Sequence, residues 1–203
     1  MSGACPTSPY PSSIKVSSIT RNLTTSAMSG KRYSRNYGVQ LWQLDVTYPP
    51  MTRAQFDPIY AFIVSQNGTY GTFTFSAHDK TSPRGSVSGS PSGTPKIKGA
   101  SQTGTSITTD GWPHSATGLL LAGDYITISG DNKVYMVTAS VDSDGSGNAT
   151  MTIFPQLRSS PSDNADITSS SVAFTVSMLS EIQESQVGEA LIYSYSFSML
   201  EAL

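Results

Sequence analysis

At 203 residues the chain is long enough to bury a real core, either as one large β unit or as two modest domains. Only 13% of residues are charged and the formal net charge is −2, which excludes a dedicated nucleic-acid binder, because such proteins carry a strong basic excess. No apolar run approaches the roughly 20 residues that span a bilayer, so a soluble chain with no membrane partner is expected, and the lone Cys5 excludes an intramolecular disulfide.

Residues 1–13, rich in Pro and Ser, read as an extended arm. Ile14–Thr20 and Leu23–Ser29 read as short strands joined by a turn. Gln40–Tyr48 is the first strong signal: Trp42, Leu44, Val46 and Tyr48 share one face and Gln43, Asp45 and Thr47 the other, the period of a half-buried strand. Pro49-Pro50 stops it. Thr52-Arg53-Ala54-Gln55 then has the form of a capping box, and Phe56, Ile59, Tyr60 and Ile63 repeat at helical spacing. Pro58 is either tolerated near the start or marks a second N-terminus after Asp57. Asn67-Gly68 ends the helix, and Tyr70–Ala77 is again a strand, with Phe73 and Phe75 on one face.

Residues 79–95, dominated by Ser, Gly, Pro and Thr, read as a linker that leaves one unit and enters another. Residues 96–179 are dense in short β signals, at Ile97–Ser101, Ser106–Thr109, Tyr125–Ser129, Lys133–Ala139, Ala149–Phe154 and Val172–Val176, separated by Gly- or Asp-rich turns. That spacing suits a small barrel or sandwich. In the last segment Leu191, Tyr193, Tyr195, Phe197 and Met199 alternate with Ile192, Ser194, Ser196 and Ser198. A strand with one aromatic face needs a sheet, and the apolar faces of Gln40–Tyr48 and Tyr70–Ala77 are the available partners. The expected fold is therefore mainly β: a discontinuous β-sandwich of residues 1–78 and 180–203 with one helix, interrupted by an inserted small β-barrel over 96–179.

Few residues suggest chemistry. The two histidines, His78 and His114, lie far from each other in sequence and from Cys5, so no metal site is expected, and no Gly-x-Ser-x-Gly stands between a strand and a helix. Asp142-Ser143-Asp144-Gly145-Ser146-Gly147 begins like a calcium loop, but its twelfth position is Ile153 where a bidentate Glu is required, so a hairpin turn is the better reading. A cell-wall hydrolase would have to pair Asp124 with a C-terminal Glu. Trp112 and His114 flank Pro113 and form the one candidate glycan contact, against the alternative of a Trp packed over its own barrel. No catalytic residue, no metal and no cofactor is expected.

The charges are unevenly spread. Residues 1–60 hold six basic groups, among them Lys31, Arg32 and Arg35, against two acidic ones. Residues 141–203 hold eight acidic groups, among them Glu181, Glu184 and Glu189, against Arg158 alone. Opposite poles of this kind suit head-to-tail packing of copies.

Two stretches resemble distal tail proteins of long, flexible-tailed bacteriophages. Tyr48-Pro49-Pro50-Met51-Thr52-Arg53-Ala54-Gln55-Phe56, running through a helix to Gln66-Asn67-Gly68-Thr69-Tyr70-Gly71-Thr72-Phe73, resembles the strand, helix and strand of the ring-forming domain. Gly118-Leu119-Leu120-Leu121-Ala122-Gly123-Asp124-Tyr125-Ile126, Val134-Tyr135-Met136-Val137-Thr138, Asp144-Gly145-Ser146-Gly147-Asn148-Ala149-Thr150 and Ile153-Phe154-Pro155-Gln156-Leu157-Arg158 are similar to the inserted β domains of phage tail proteins. The resemblance implies a structural virion protein of the tail tip, made in the host cytoplasm. It further implies a hexameric ring that joins the tail tube protein to the tail-tip hub protein around a channel for DNA. Other tail components, such as a tube or terminator protein, share the structural class, and the inserted domain could instead meet a host glycan. Lys31, Arg32 and Arg35 of one subunit would then face Glu181, Glu184 and Glu189 of the next.

Overall fold

The computed structural model describes residues 3–77, 82–87, 94–184, 186–187 and 192–203. In chain order its elements are β1 (Ser13–Ser26), β2 (Arg32–Thr47), α1 (Arg53–Ser65), β3 (Thr72–Ser76), β4 (Lys96–Ile97), β5 (Ser106–Asp110), β6 (Tyr125–Ile128), β7 (Val134–Val137), β8 (Ala149–Phe154), β9 (Ile167–Thr168), β10 (Ala173–Met178), β11 (Gln186–Val187), β12 (Tyr193–Ser194) and β13 (Ser196–Glu201). The fold is mainly β, with one helix among the described residues, a barrel-like sheet of six strands and a second sheet. Two units emerge: Met1–Thr72 with Val176–Glu201, and Phe73–Thr175 with Ala202–Leu203.

In the first unit the sheet runs β1-β2-β13-β10. β2 is the strand read from the alternation at Gln40–Tyr48, and Trp42, Leu44 and Val46 are buried along it. β13 pairs antiparallel with β2, placing Phe197 opposite Val46 and Met199 opposite Leu44. The final stretch is not one unbroken strand. β12 pairs with β11, with Gln186 opposite Ser194 and Val187 opposite Tyr193. Met51 and Tyr193 exchange both backbone hydrogen bonds at 2.9 Å, and Tyr48 donates its N–H to Tyr195 O.

α1 is the expected helix, two residues longer at its C-terminal end and three at its start than the apolar repeat alone indicates. Gln55 Oε1 accepts from the Thr52 N–H at 3.0 Å, supplying the Gln half of the capping box. Pro58 lies inside the helix without breaking it. It withholds the N–H that Ala54 O would accept, and both residues are exposed, near the helix start where proline is best tolerated. The buried face is Phe56, Ile59 and Ile63. Phe56 stacks on Tyr193 at 4.8 Å and meets Tyr195 edge-on at 5.5 Å, so the helix covers the aromatic side of the terminal strands. Such ring pairs add to the area they bury.

The expected turn between Ile14–Thr20 and Leu23–Ser29 is not there. β1 runs on through Thr20 and Leu23 to Ser26, and the turn lies within the second expected strand, where Ala27 N–H donates to Lys31 O and Gly30 N–H to Ala27 O. The register moves from Thr20 opposite Gln40 to Asn22 opposite Asn36, so Arg21 faces the three residues Tyr37, Gly38 and Val39. This is a bulge in β2. Gly38 takes φ 74° there, a conformation that costs glycine little, and its N–H donates to Asn36 Oδ1 at 2.7 Å.

In the second unit the six-stranded sheet runs β4-β5-β8-β7-β6-β9. Its two ends meet: Lys96 bridges Asp166, Ile97 N–H donates to Ala165 O, and Ile167 N–H donates to Pro95 O, at 2.9 and 2.8 Å. The interior is filled by side chains, as in other small barrels, including Ile97, Ile107, Ile126, Tyr135, Met151 and Ile153. β3 lies beside β10. Within the stretch read as a linker, Val87 is buried in this core and Ser86 N–H donates to Gly118 O.

Candidate assembly surfaces

Beyond Gln40 the β1–β2 hairpin leaves the core. Every residue from Arg21 to Val39 is exposed except the half-buried Ala27. Lys31, Arg32 and Arg35 all lie on this arm, with Arg21 as a fourth cation and no acidic residue among them. Lys31 Nζ sits 5.3 Å from the Tyr33 ring centroid and the Arg35 guanidinium 5.9 Å from that of Tyr37. The arm is a cationic, aromatic ribbon. The basic cluster was legible in the sequence; that it stands on a projecting hairpin was not.

Glu181 and Glu184 are exposed on the segment after β10, and Glu189 lies outside the described residues. That segment is tied in place. Ser180 Oγ accepts from Ile182 N–H at 3.1 Å, and Gln183 Nε2 donates to Ser180 O at 2.8 Å. The Tyr60 hydroxyl donates to Gln183 O at 3.3 Å. Beside it a groove of about 320 Å³ is lined by Met178, Ile182, Glu184, Tyr195 and Phe197 among others, and Ile182 is 71% exposed.

Trp112 is 3% exposed. Its Nε1 donates to Thr109 Oγ1 at 2.7 Å, and Thr109 Oγ1 donates to Ala149 O at 2.9 Å, so the ring belongs to the core of the second unit and presents no free face for stacking. Its backbone N–H donates to Gly147 O. At Gly147, φ is 76° and a Cβ would meet Trp112 O at 2.5 Å, which accounts for glycine there. His114 is exposed, while His78 lies outside the described residues.

Asp124 is 2% exposed and its carboxylate is fully engaged. It accepts from Leu121 N–H at 2.8 Å and from Arg84 N–H at 3.1 Å, with the Arg84 guanidinium 3.5 Å away. Those bonds fix the Gly123 turn before β6 to the Arg84 segment, a structural use of the one acid a hydrolase reading would need. Asp144 closes the hairpin before β8, accepting from Ser146 N–H and Asn148 N–H on Oδ1 and from Asn148 Nδ2 on Oδ2. Asn148 foremost holds that carboxyl below its ordinary range. Among the described residues no group of three or more His, Cys, Asp or Glu is placed to hold a metal ion. Burial pushes the Cys5 thiol up to about 11, opposed in smaller part by the adjacent Tyr48 hydroxyl. A thiol in that state is a poor nucleophile.

Comparison with known proteins bears on the second unit. No curated protein matches the chain. Residues 84–172 match the family model described as distal tail protein pb9, B domain, a span that holds the whole six-stranded barrel, Trp112 and Asp124. Through these residues the chain is similar to the B domain of a distal tail protein, which supports a structural protein of the phage tail.

Proposed function

We propose that the chain forms a ring at the tail tip, joining the tail tube to the tip hub and leaving a channel through which DNA passes. The observation that carries this reading is the position of the matched domain. Residues 84–172 lie within the chain, while the segments on either side, Met1–Thr72 and Val176–Glu201, belong to one unit. A domain inserted into another lets the host unit assemble while the insert decorates its outside. In this reading residues 1–78 and 180–203 are the ring-forming domain, 79–95 the connection and 96–179 the insert, and the ring is a homohexamer. The exposed cationic arm and the exposed acidic segment supply two different surfaces, as head-to-tail closure of a ring demands.

A glycan site at Trp112 and His114 would need the indole at the surface, and burial of Trp112 gives that alternative no support. Native mass spectrometry and negative-stain images of the full chain, alone and mixed with tail tubes, test the ring. Closed rings, or rings seated on tube ends, are expected. A protein that stays monomeric at high concentration and fails to join tubes overturns the proposal.

A further inference from the structure

The arm has an amphipathic face that the described residues leave bare. Cross-strand partners share a face, and in the outer arm they are Leu23 with Arg35 and Thr25 with Tyr33 on one side, against Asn22 with Asn36, Thr24 with Ser34 and Ser26 with Arg32 on the other. The first side is apolar, aromatic and cationic; the second is wholly polar or charged. Leu23 is 55% and Tyr33 54% exposed. From Thr20 the ribbon extends about 20–25 Å at the usual rise per residue, and a two-stranded hairpin of this kind is marginally stable by itself. An alternating pattern with nothing upon it marks a surface made for a partner.

The same unit carries a complement. The groove beside β13 is lined largely by polar residues, Ser180, Gln183, Ser196 and Ser198 among them, over the buried Met178, Tyr195 and Phe197; Ile182 stands exposed on it and Glu184 is among its lining residues, with Glu181 just before Ile182 in the chain. We infer that the Leu23–Tyr33–Arg35 face of the arm of one copy docks into this groove of a second copy. Leu23 and Tyr33 meet the exposed Ile182, and Lys31 and Arg35 meet Glu181 and Glu184. Leu23 and Tyr33 against Ile182, and carboxylates against the cations, favour this protein surface over the phosphates of DNA, which the cations alone would also suit. The inference rests on the ring reading and adds to it the two surfaces that touch.

Disulfide trapping in the full chain tests it. Thr25→Cys and Ile182→Cys, both at exposed positions, are made in separate chains distinguishable by mass, mixed and mildly oxidised. Cys5, at 4% exposed, is shielded. Thr25→Cys with Tyr70→Cys is the control, since Tyr70 is 88% exposed and belongs to neither surface. The mixed disulfide at 25 and 182 should exceed the control about 10-fold or more, because docking raises the effective concentration of the two thiols far above bulk. Arg35→Glu in the arm chain should reduce it and Glu184→Arg in the groove chain restore it.

Equal yields at the two sites overturn the inference. So does retardation of duplex DNA that Arg35→Glu abolishes, if it comes with no enrichment at position 182. Rings in the micrograph without enriched trapping defeat the arm contact and leave the ring standing. Enriched trapping in open chains without rings supports the contact and defeats the ring.

Discussion

The backbone N–H of Trp42 donates to Oε2 of Glu201 at 3.1 Å, with both residues nearly sealed from water at 4% and 3% exposed. The β2–β13 ladder ends with Gln43 opposite Leu200. One step further the Glu201 backbone faces Val176 of β10, and its side chain takes the N–H that the ladder would otherwise leave open. A buried donor stripped of its acceptor costs about 1–3 kcal/mol. Glu201→Ala should therefore destabilise the first unit by that amount, and Glu201→Gln, which keeps an acceptor, by less. Trp42 and Trp112 are the two tryptophans of the chain and lie in different units. Urea unfolding of a Trp112→Phe background, read by Trp42 fluorescence, isolates the effect.

Trp112 yields the corresponding experiment in the second unit. Removing the ring opens a hole in the barrel core, and Trp112→Ala should cost about 3–5 kcal/mol. Trp112→Phe and Thr109→Val each break the indole-to-hydroxyl bond and should cost about 1 kcal/mol from that loss, with the double variant costing less than their sum because they share one interaction. Circular dichroism during urea unfolding is the measurement. If Trp112→Ala leaves the midpoint unchanged, the ring is not a core element.

The contrast between these two tryptophans shows what could be read in advance. Trp42 alternates with Leu44, Val46 and Tyr48, so period and burial agree and its face was legible. The start of α1 was legible too, because Thr52 and Gln55 act within one turn. Trp112 has no such neighbours: its place depends on Thr109 and, through it, on Ala149 across the barrel. The arm escaped notice for the opposite reason. Tyr33, Arg35, Tyr37 and Val39 do alternate with small residues, but Gly38 and the bulge opposite Arg21 interrupt the period, and among the described residues none buries either face. Val87 is buried amid Ser, Gly and Pro, a composition that reads as linker whatever its surroundings.

Asp124 illustrates a role that only the fold reveals, because its acceptors' partners include Arg84, 40 residues earlier. Replacing it by Asn keeps one acceptor oxygen but removes the charge that strengthens the bonds from Leu121 and Arg84, and bonds to a charged group are worth about 1.5–3 kcal/mol. Asp124→Asn should destabilise the second unit within that range. Arg84→Ala should cost far less, since the guanidinium is 65% exposed and exposed ion pairs contribute little. Equal losses for the two, compared by urea unfolding of a Trp42→Phe chain, would show that the guanidinium and not the backbone N–H groups sustains the turn.

Asp45 supplies a pH dependence with a definite sign. Its carboxyl lies below its ordinary value, foremost because the Ser198 hydroxyl donates to it at 2.6 Å, then because Gln43 Nε2 donates at 3.0 Å, with Lys15 opposite it on β1 adding a smaller pull. A carboxyl whose folded pKa is depressed stabilises the fold above its unfolded value of about 3.9, and this contribution fades as pH falls through the folded value. The stability gap between wild type and Asp45→Asn should therefore be widest at pH 6 and shrink below about pH 4. Ser198→Ala removes the largest cause, so it should narrow the gap at pH 6. Urea unfolding read by Trp42 fluorescence at several pH values decides it, and a gap that stays constant down to pH 3 would mean that the Asp45 carboxylate has the same proton affinity in the folded and unfolded chain.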